Sequence, residues 1–156
     1  MAQVIFRSAT RADVPAILAL LDDDEIARSR SAGAVVSEAA DAAGWAAFEA
    51  IDADPRNELV VAVDDAGTVA ATCQLTFTPS LSRGGGERMT IEAVRVRTGL
   101  RGQGLGRRLM EWALDEARER GCALAQLTTD KRRADAHRFY AGLGFTASHE
   151  GMKLAL

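Results

Sequence analysis

The chain has 156 residues, of which 47% are hydrophobic, and a formal net charge of −3 from 19 basic and 22 acidic side chains. This length and apolar content favour one packed core, so we expect residues 1–156 to form a single domain. The near balance of charges argues against a general nucleic-acid binder, whose surface should be broadly basic. No apolar run is long enough to cross a bilayer, so no membrane partner is expected.

The N-terminal stretch and the cysteines bear on the cellular compartment. "MAQVIFRSATRADV" lacks the long apolar region of a secretory signal. Cys73 and Cys122 stand at no spacing that is typical of a metal or redox site. Two such cysteines indicate buried or idle thiols in a reducing environment, so we expect a cytoplasmic protein.

The first third of the chain predicts one strand and two helices. "QVIFR" is a short strand, and "TRADVPAILALLDDD" is a helix that Thr10 can cap, with Asp13 three residues on. "EAADAAGWAAFEAIDAD" is a second helix, which ends before Pro55. The segment between them, "DDDEIARSRSAGAVVS", has two open interpretations: a solvated connection or a loop on the substrate side.

The middle of the chain changes to strand character. "ELVVAVDDAGTVAATCQLTFTP" contains two runs rich in Val and Thr around Asp64-Asp65-Ala66-Gly67, a pattern that predicts a hairpin. The loop "SLSRGGGER" and a further strand, "MTIEAVRVR", follow.

The last third predicts two helices and two or three strands. "GLGRRLMEWALDEARERG" is a helix with one apolar face, in which Glu116 and Arg120 can pair and Gly121 ends the helix. "CALAQLTT" is an apolar strand, "RADAHRFYAGLG" is a short helix, and "FTASHEGMKLAL" closes the chain as one or two strands. The order of elements predicts an α/β fold with a mixed sheet, in which "IEAVRV" and "LAQLTT" are parallel strands of a βαβ unit.

The stretch from Val94 to Leu109, "VRVRTGLRGQGLGRRL", concentrates five arginines and four glycines between a strand and a helix. A helix that begins at such a junction presents unpaired backbone N–H groups and the positive end of its dipole. Glycines let the backbone approach an anion closely, and arginines add forked donors. The stretch therefore predicts a phosphate or pyrophosphate site.

Two common phosphate-binding motifs do not fit this stretch. A P-loop requires Lys-Ser or Lys-Thr after its glycines, whereas Gly106 is followed by two arginines. The dinucleotide fingerprint Gly-x-Gly-x-x-Gly also fails, because its last position falls on Arg107 or on Leu109.

The segment Arg101 to Gly106 resembles the Arg/Gln-x-x-Gly-x-Gly/Ala motif of the GNAT superfamily of N-acetyltransferases. The preceding strand and "AHRFYAGLGF", at 136–145, match the rest of that family's pattern in order and distance. The resemblance implies the GNAT fold, with a central mixed sheet of about six or seven strands and about four helices. Two departures from the family pattern are Thr98, where proline is common, and Arg133, where asparagine is common.

The resemblance implies acetyl-coenzyme A as the acetyl donor. Backbone groups of Val94 and Val96 would pair with the pantetheine arm as an added strand, where two strands of the sheet splay apart. The residues implied at the pyrophosphate are Arg101, Gly102, Gln103, Gly104, Leu105, Gly106 and Arg107.

Acetyl transfer to an amine by direct attack in a ternary complex needs a neutral amine and a proton for the departing thiolate. By the resemblance, Glu92 is the candidate base, through water, and Tyr140, the chain's only tyrosine, is the candidate acid. The alternatives are a surface carboxylate for Glu92 and a packing aromatic for Tyr140. His137 and His149 are the only histidines, and we predict no metal site.

The acceptor is predicted only as a primary amine of a small molecule. The tail from "LTTDKRRADAHRFY" onward is similar to the end of aminoalkylphosphonate N-acetyltransferases. Antibiotics, polyamines and protein N-termini remain alternative acceptors, and a non-catalytic acyl-coenzyme A sensor is the alternative class. The apolar end "GMKLAL" could form an exposed edge strand, so a homodimer is expected.

Overall fold

The computed structural model describes residues 3–23 and 38–156, with the side chains of the second range described from residue 42. Most of the predicted substrate-side loop therefore lies outside the described residues. The elements are listed in chain order: β1 Val4–Ser8, α1 Val14–Asp22, α2 Glu38–Ala53, β2 Asn57–Asp64, β3 Val69–Thr78, β4 Arg88–Val96, α3 Leu105–Arg120, β5 Leu124–Leu127 and α4 Ala134–Gly142.

One mixed sheet organises these elements, with the strand order β1-β2-β3-β4-β5. Neighbouring strands are antiparallel except β4 and β5, which run parallel and are joined through α3. The predicted mixed sheet, its βαβ unit and the four predicted helices are confirmed. No helix in the described part of the chain is both long and apolar enough to span a bilayer.

The strand count is lower than predicted, because the described residues form five strands and not six or seven. The prediction of one or two strands in "FTASHEGMKLAL" is wrong: residues 146–156 have no regular structure. A strand exists only when its backbone groups pair with a neighbour. The alternating apolar residues of this segment find no such neighbour within the described chain, where Met152, Leu154 and Leu156 are each at least 85% exposed.

One face of the sheet, here called the closed face, is covered by α3 and α4. Alternate residues of the two central antiparallel strands, such as Val60 and Leu75, are fully buried against α3. Helix α3 contributes an apolar stripe at helical spacing, which consists of Leu105, Leu109, Met110, Ala113 and Ala117. The closed face is therefore the main hydrophobic core.

The opposite face, here called the open face, is covered by α1 and α2 over only part of its area. Val61 and Val63 of β2 pack against Ile17 and Leu20 of α1. Helix α1 is fastened at its start, where the Asp13 carboxylate accepts two hydrogen bonds from Arg7, at 2.7 and 3.1 Å. Asp13 also accepts a bond from the Thr10 backbone N–H, as the predicted cap requires.

One predicted contact of α3, the ion pair of Glu116 with Arg120, is wrong. Arg120 does not pair with Glu116 but donates to Glu87, the residue before β4, and lies over the ring of Phe77. Gly121 ends the helix in the left-handed conformation, as predicted. The physical reason is that the Glu87 side chain is only 25% exposed and the Phe77 ring is buried, so an ion pair and a ring contact hold Arg120 at the same place.

Candidate active site

A gap opens between β4 and β5 beyond the point where their pairing ends, at the end of β4 that leads to α3. The two strands pair from Arg88 with Leu124 as far as Ile91 with Leu127, where β5 ends. Strand β4 continues for five more residues without a neighbour on that side. The gap therefore leaves an open stretch of backbone at Glu92–Val96, next to the glycine-rich loop.

A β-bulge shapes this stretch. Gln74 of β3 pairs with Glu92, but Thr72 pairs with Arg95, so β4 has one more residue than its partner here. The extra residue is accommodated at Ala93, whose φ of 54° is unusual for a residue with a side chain. The bulge was not predicted, since alanine in a strand carries no turn signal.

The outer edge of β4 is marked by two backbone carbonyls that accept hydrogen bonds from arginine side chains. Arg95 Nη1 donates to the Val94 oxygen at 2.8 Å, and Arg101 Nε donates to the Val96 oxygen at 3.1 Å. On the other side of the strand, the Arg97 N–H donates to Ala70 of β3. The backbone of Val94 and Val96 thus faces the gap, as the implied pairing with an amide-bearing arm requires.

The glycine-rich loop leads from β4 into α3. Gly102 and Gly104 have φ values of 78° and 83°, which a residue with a side chain rarely adopts. A Cβ atom at either position would meet nothing within 4 Å, so the space in front of the loop is open. The first hydrogen bond of α3 is donated by Arg108, which leaves the N–H groups of Gly104 to Arg107 without an acceptor inside the helix. Such donors at a helix start can bind an anion, and the loop that carries them is here called the cradle.

The five arginines of this region do not all serve the cradle. Arg97 pairs with Asp64 at 3.4 Å, and Arg108 lies over the ring of Phe6, so both connect the loop to the rest of the fold. Arg107 pairs with Glu111 on the exposed surface at 3.0 Å. Arg101 is exposed beside the cradle.

Gly106 has a different role from the two glycines before it. It lies inside α3, where a Cβ atom would come within 3.6 Å of both Val96 and Phe139. A small residue at this position lets α3 approach both β4 and α4. The contact joins the cradle, the gap and the last helix into one unit.

Tyr140 lies on α4, half-buried against the closed-face core, and the charge of Arg95 on β4 acts on its hydroxyl. Its ring makes edge contacts with Phe139 and Phe145, with centroids 5.1 and 6.0 Å apart. Burial raises the pKa of the hydroxyl, while the nearby charges of Arg95 and Arg133 act in the opposite direction. The phenol is therefore protonated at neutral pH. Its hydroxyl makes no hydrogen bond within the described residues, so its proton is uncommitted there.

Glu92 lies on the other side of the sheet. It pairs across the strands with Gln74, so both side chains project from the open face, and Glu92 is exposed to solvent. The acid and base candidates therefore approach the gap from opposite faces.

Glu92 belongs to a polar part of the open face that composition alone did not reveal. Four residues form a row across the strands, because each is the register partner of the next: Asn57, Thr76, Thr90 and Gln126. Thr76 donates to the Asn57 oxygen at 2.9 Å, and the Gln126 amide donates to Thr90 at 3.1 Å. We call these four residues, with Gln74 and Glu92, the polar row. The alternation of polar and buried apolar residues along each strand indicates a polar face. The register of the strands then determines which polar residues lie next to one another.

The histidines and cysteines belong to neither the cradle nor the polar row. His137 contacts the Asp130 carbonyl at 3.2 Å, and His149 contacts the neighbouring Ser148 hydroxyl at 2.6 Å. Burial raises the pKa of the Cys73 thiol to about 12, so this thiol is inert as a nucleophile at neutral pH. Within the described residues no group of three or more metal-ligating side chains is found.

The arrangement of a splayed sheet, an anion cradle at a helix start and an aromatic hydroxyl at the gap defines a class of acyl-transfer protein. The sequence profile described as "Acetyltransferase (GNAT) family" matches residues 17–145. The chain belongs to this family, and the predicted resemblance is confirmed.

The chain is also similar to individual solved structures and curated proteins. A solved structure described as a transcriptional regulator from Bacillus halodurans C-125 is 44% identical, covers 99% of this chain and 100% of its own, and superposes with a TM-score of 0.91. A putative acetyltransferase from Agrobacterium tumefaciens is 28% identical over 97% of this chain and 99% of its own, with a TM-score of 0.81. An aminoalkylphosphonate N-acetyltransferase from Salmonella typhimurium is 44% identical over 59 residues, which are 38% of each chain. The match spans less than half the length of the curated relatives.

Proposed function

We propose that the protein is an N-acetyltransferase that transfers the acetyl group of acetyl-coenzyme A to a primary amine of a small molecule. The observation that carries the proposal is that the cradle, the unpaired edge of β4 and the helix of Tyr140 meet at Gly106, beside Val96 and Phe139. A linear ligand with a pyrophosphate at one end and amides in its arm fits that arrangement.

The donor would be held mainly by backbone groups. The N–H groups of Gly104 to Arg107 suit a pyrophosphate, with Arg101 and Gln103 beside them. The Arg101 side chain, which engages the Val96 carbonyl in the structure, is close enough to move between that carbonyl and a phosphate. Val94 and Val96 offer backbone groups to the amides of the arm. Acetyl-coenzyme A supplies an activated thioester, and the chain supplies its orientation.

The proton transfers are assigned to the two sides of the gap. Glu92, exposed on the open face, accepts the proton of the incoming ammonium through water. Tyr140, protonated on the closed face, gives its proton to the departing sulfur. Direct attack in a ternary complex requires no nucleophile from the enzyme, in agreement with the inert thiol of Cys73.

The acceptor is proposed to bind on the open face, along the polar row. Its uncharged donors and acceptors suit a small molecule with hydroxyl or amide groups, and Glu92 at the gap end suits the amine. The related Salmonella protein is named for aminoalkylphosphonates. Arg88, on the same face of β4 as Thr90 and Glu92, offers a cation to an acceptor of that kind.

The test is the release of the coenzyme A thiol from acetyl-coenzyme A across a panel of amines. The panel contains aminoalkylphosphonates, amino sugars, aminoglycosides, polyamines and a peptide with a free N-terminus. Mass spectrometry of the product verifies N-acetylation. Turnover with a small amine supports the proposal, whereas turnover with the peptide alone assigns the enzyme to protein N-terminal acetylation.

The second candidate is a non-catalytic acyl-coenzyme A sensor. The observation that favours it is the description of the similar Bacillus structure as a transcriptional regulator. A sensor would bind acetyl-coenzyme A in calorimetry and release no thiol with any amine. The Tyr140 hydroxyl favours the enzyme, since a sensor has no need of a proton donor at the sulfur.

The expected cytoplasmic location and homodimer belong to the same proposal. Cys73 and Cys122 are unpaired, which agrees with a reducing compartment. The homodimer is supported by the exposed C-terminal segment. Light scattering should give twice the chain mass of 16.6 kDa.

A further inference from the structure

One arginine on the open face carries a buried donor without an acceptor. Arg88 is the first residue of β4 and is half-buried, and its Nε is shielded from solvent but makes no hydrogen bond within the described residues. A shielded donor on a charged group costs free energy as long as it stays unpaired. The Arg88 side chain is therefore suited to a ligand that brings an acceptor of its own.

Three neighbouring cations are already engaged with other groups. Lys131 and Arg132, in the loop after β5, each pair with a carboxylate. Arg95, further along β4, donates to a backbone carbonyl at the gap. The acid next to Arg88 in the sequence, Glu87, pairs with an arginine of α3 and does not neutralise it. The charge of Arg88 is thus available to a ligand on the open face.

Along its open face, β4 carries a cation, a hydroxyl and a carboxylate in that order. Strand alternation places Arg88, Thr90 and Glu92 on one side, and Thr90 lies between Thr76 and Gln126 of the polar row. The Thr90 hydroxyl accepts a hydrogen bond from Gln126 at 3.1 Å, so its own proton remains to be donated. Positions 88 and 92 are about 13 Å apart along the strand, and the carboxylate lies at the gap end.

This order of charges complements a zwitterion in one direction only. An amine with an anion at its other end places its ammonium group beside Glu92 and its anion beside Arg88. The reverse orientation brings like charges together at both ends, which opposes binding. A neutral amine gains an ionic contact at Glu92 alone, and a diamine is repelled at Arg88.

We propose that the acceptor is such a zwitterion, an extended amine with a phosphonate, phosphate or carboxylate at its far end, and that Arg88 binds this anion. The inference rests on the proposed function and adds to it the charge of the acceptor and the residue that selects it. The forked donors of Arg88 suit an oxyanion with two or more oxygens. The Thr90 hydroxyl offers a donor to the middle of the acceptor, so the amine is directed to the gap.

Calorimetry in excess coenzyme A tests the proposal without turnover. The four probes share an aminopentyl chain and differ only at the far end: 5-aminopentylphosphonate, 6-aminohexanoate, 5-aminopentanol and 1,5-diaminopentane. The chain should bind at least one of the two anionic probes more tightly than the alcohol by ~10-fold or more, and the diamine most weakly. Tighter binding of the phosphonate assigns a phosphonate or phosphate to the acceptor, and tighter binding of 6-aminohexanoate assigns a carboxylate.

Substitution of Arg88 assigns the preference to this side chain. Arg88→Met keeps an unbranched stem without the charge and should abolish the preference for an anion, whereas Arg88→Glu should reverse it in favour of the diamine. Arg88→Lys retains a cation and should keep part of the preference, and urea unfolding verifies that each variant is folded. Arg118→Met, at the exposed far end of α3, removes the same charge and should keep the preference in full.

Two results would overturn the inference. One is an unmodified chain that binds the alcohol as tightly as both anionic probes, and the other is a preference for an anion that survives Arg88→Met in a folded protein. Turnover of uncharged amines without any preference for an anion would leave the proposed function in place and remove this inference alone. Binding of the probes requires no acetyl transfer, so the result also holds if the proposed activity is not found.

Discussion

The two faces of the sheet differ in what their side chains can do. On the closed face, Val60, Leu75 and Ile91 are buried beneath α3, and the single tyrosine belongs to an aromatic cluster on the same face. On the open face, the same strands carry the polar row around Glu92, and the covering helices leave Glu92 accessible to solvent. One sheet thus presents the proposed proton donor, Tyr140, from an apolar face and the proposed proton acceptor, Glu92, from a face open to water.

The largest expected effect is on the closed face. Tyr140→Phe removes one hydroxyl and keeps the ring contacts with Phe139 and Phe145. If the hydroxyl protonates the leaving sulfur, kcat falls by ~10²–10⁴-fold while donor affinity changes little. Phe145→Leu is the control for packing, since it perturbs the same aromatic cluster without removing a hydroxyl. Full activity of Tyr140→Phe would assign Tyr140 to packing alone.

The open face is tested by Glu92→Gln, which is nearly isosteric. The variant should lose activity most at low pH, where an amine with a pKa of about 9–10 is mostly charged and needs a base. Raising the pH supplies free amine, so kcat/KM of the variant relative to the unmodified chain should recover by ~10-fold or more. The profile of kcat/KM against pH, measured with the best amine of the panel, shows this recovery. Tyr140→Phe should show no recovery at high pH. Equal pH profiles for the two variants would therefore contradict the assignment of base and acid to Glu92 and Tyr140.

Substitutions in the cradle, the proposed pyrophosphate site, should have a smaller effect that is the same at every pH. Arg101→Glu replaces a proposed phosphate donor with a repelling charge, so binding of acetyl-coenzyme A should weaken by about 1.5–3 kcal/mol. Gly104→Val should weaken it as well, since valine disfavours a φ of 83° and would occupy the open space before the helix. Calorimetry measures both affinities. Arg118→Glu, a charge reversal at the exposed far end of α3, is the control, and unchanged affinity in both cradle variants would contradict the site.

The sequence predicted most of what depends on local chemistry. Glycines with positive φ at the cradle, the hairpin turn and the end of α3 were all readable, because only a few residue types suit those conformations. The bulge at Ala93 was not, since its cause is the register between β3 and β4. The polar row also depends on the register of the strands. The partner of Arg120, Glu87, is distant in the sequence and could not be predicted from helical spacing. The strand prediction for the C-terminal tail failed because a strand needs a neighbour that the described chain does not provide.

The attachment of α1 to the open face is tested through pH. Hydrogen bonds from Arg7, opposed in part by burial, hold the pKa of the Asp13 carboxyl below its usual range. A depressed pKa in the folded state gives stability that is present above the unfolded value of about 4 and is lost as the pH falls through the folded value. Asp13→Asn should cost about 2 kcal/mol of unfolding free energy at neutral pH and flatten the acid limb of urea unfolding. Asp65→Asn, on the exposed hairpin turn, should do neither.

The smallest expected effect concerns the end of the β4–β5 pair that is away from the gap. There the chain before β4 passes so close to the residue before β5 that a Cβ atom at Gly86 would lie 2.5 Å from the Ala123 Cβ and 3.2 Å from the Arg83 carbonyl oxygen. Gly86→Ala therefore forces one of the two segments to move, at an expected cost of about 1–2 kcal/mol in urea unfolding. Gly142→Ala, at a helical position with no atom within 4 Å, should be neutral or slightly stabilising. If both variants unfold like the unmodified chain, β4 and β5 are not held tightly together at this end. A loose pairing, and not only the early end of β5, could then account for the gap.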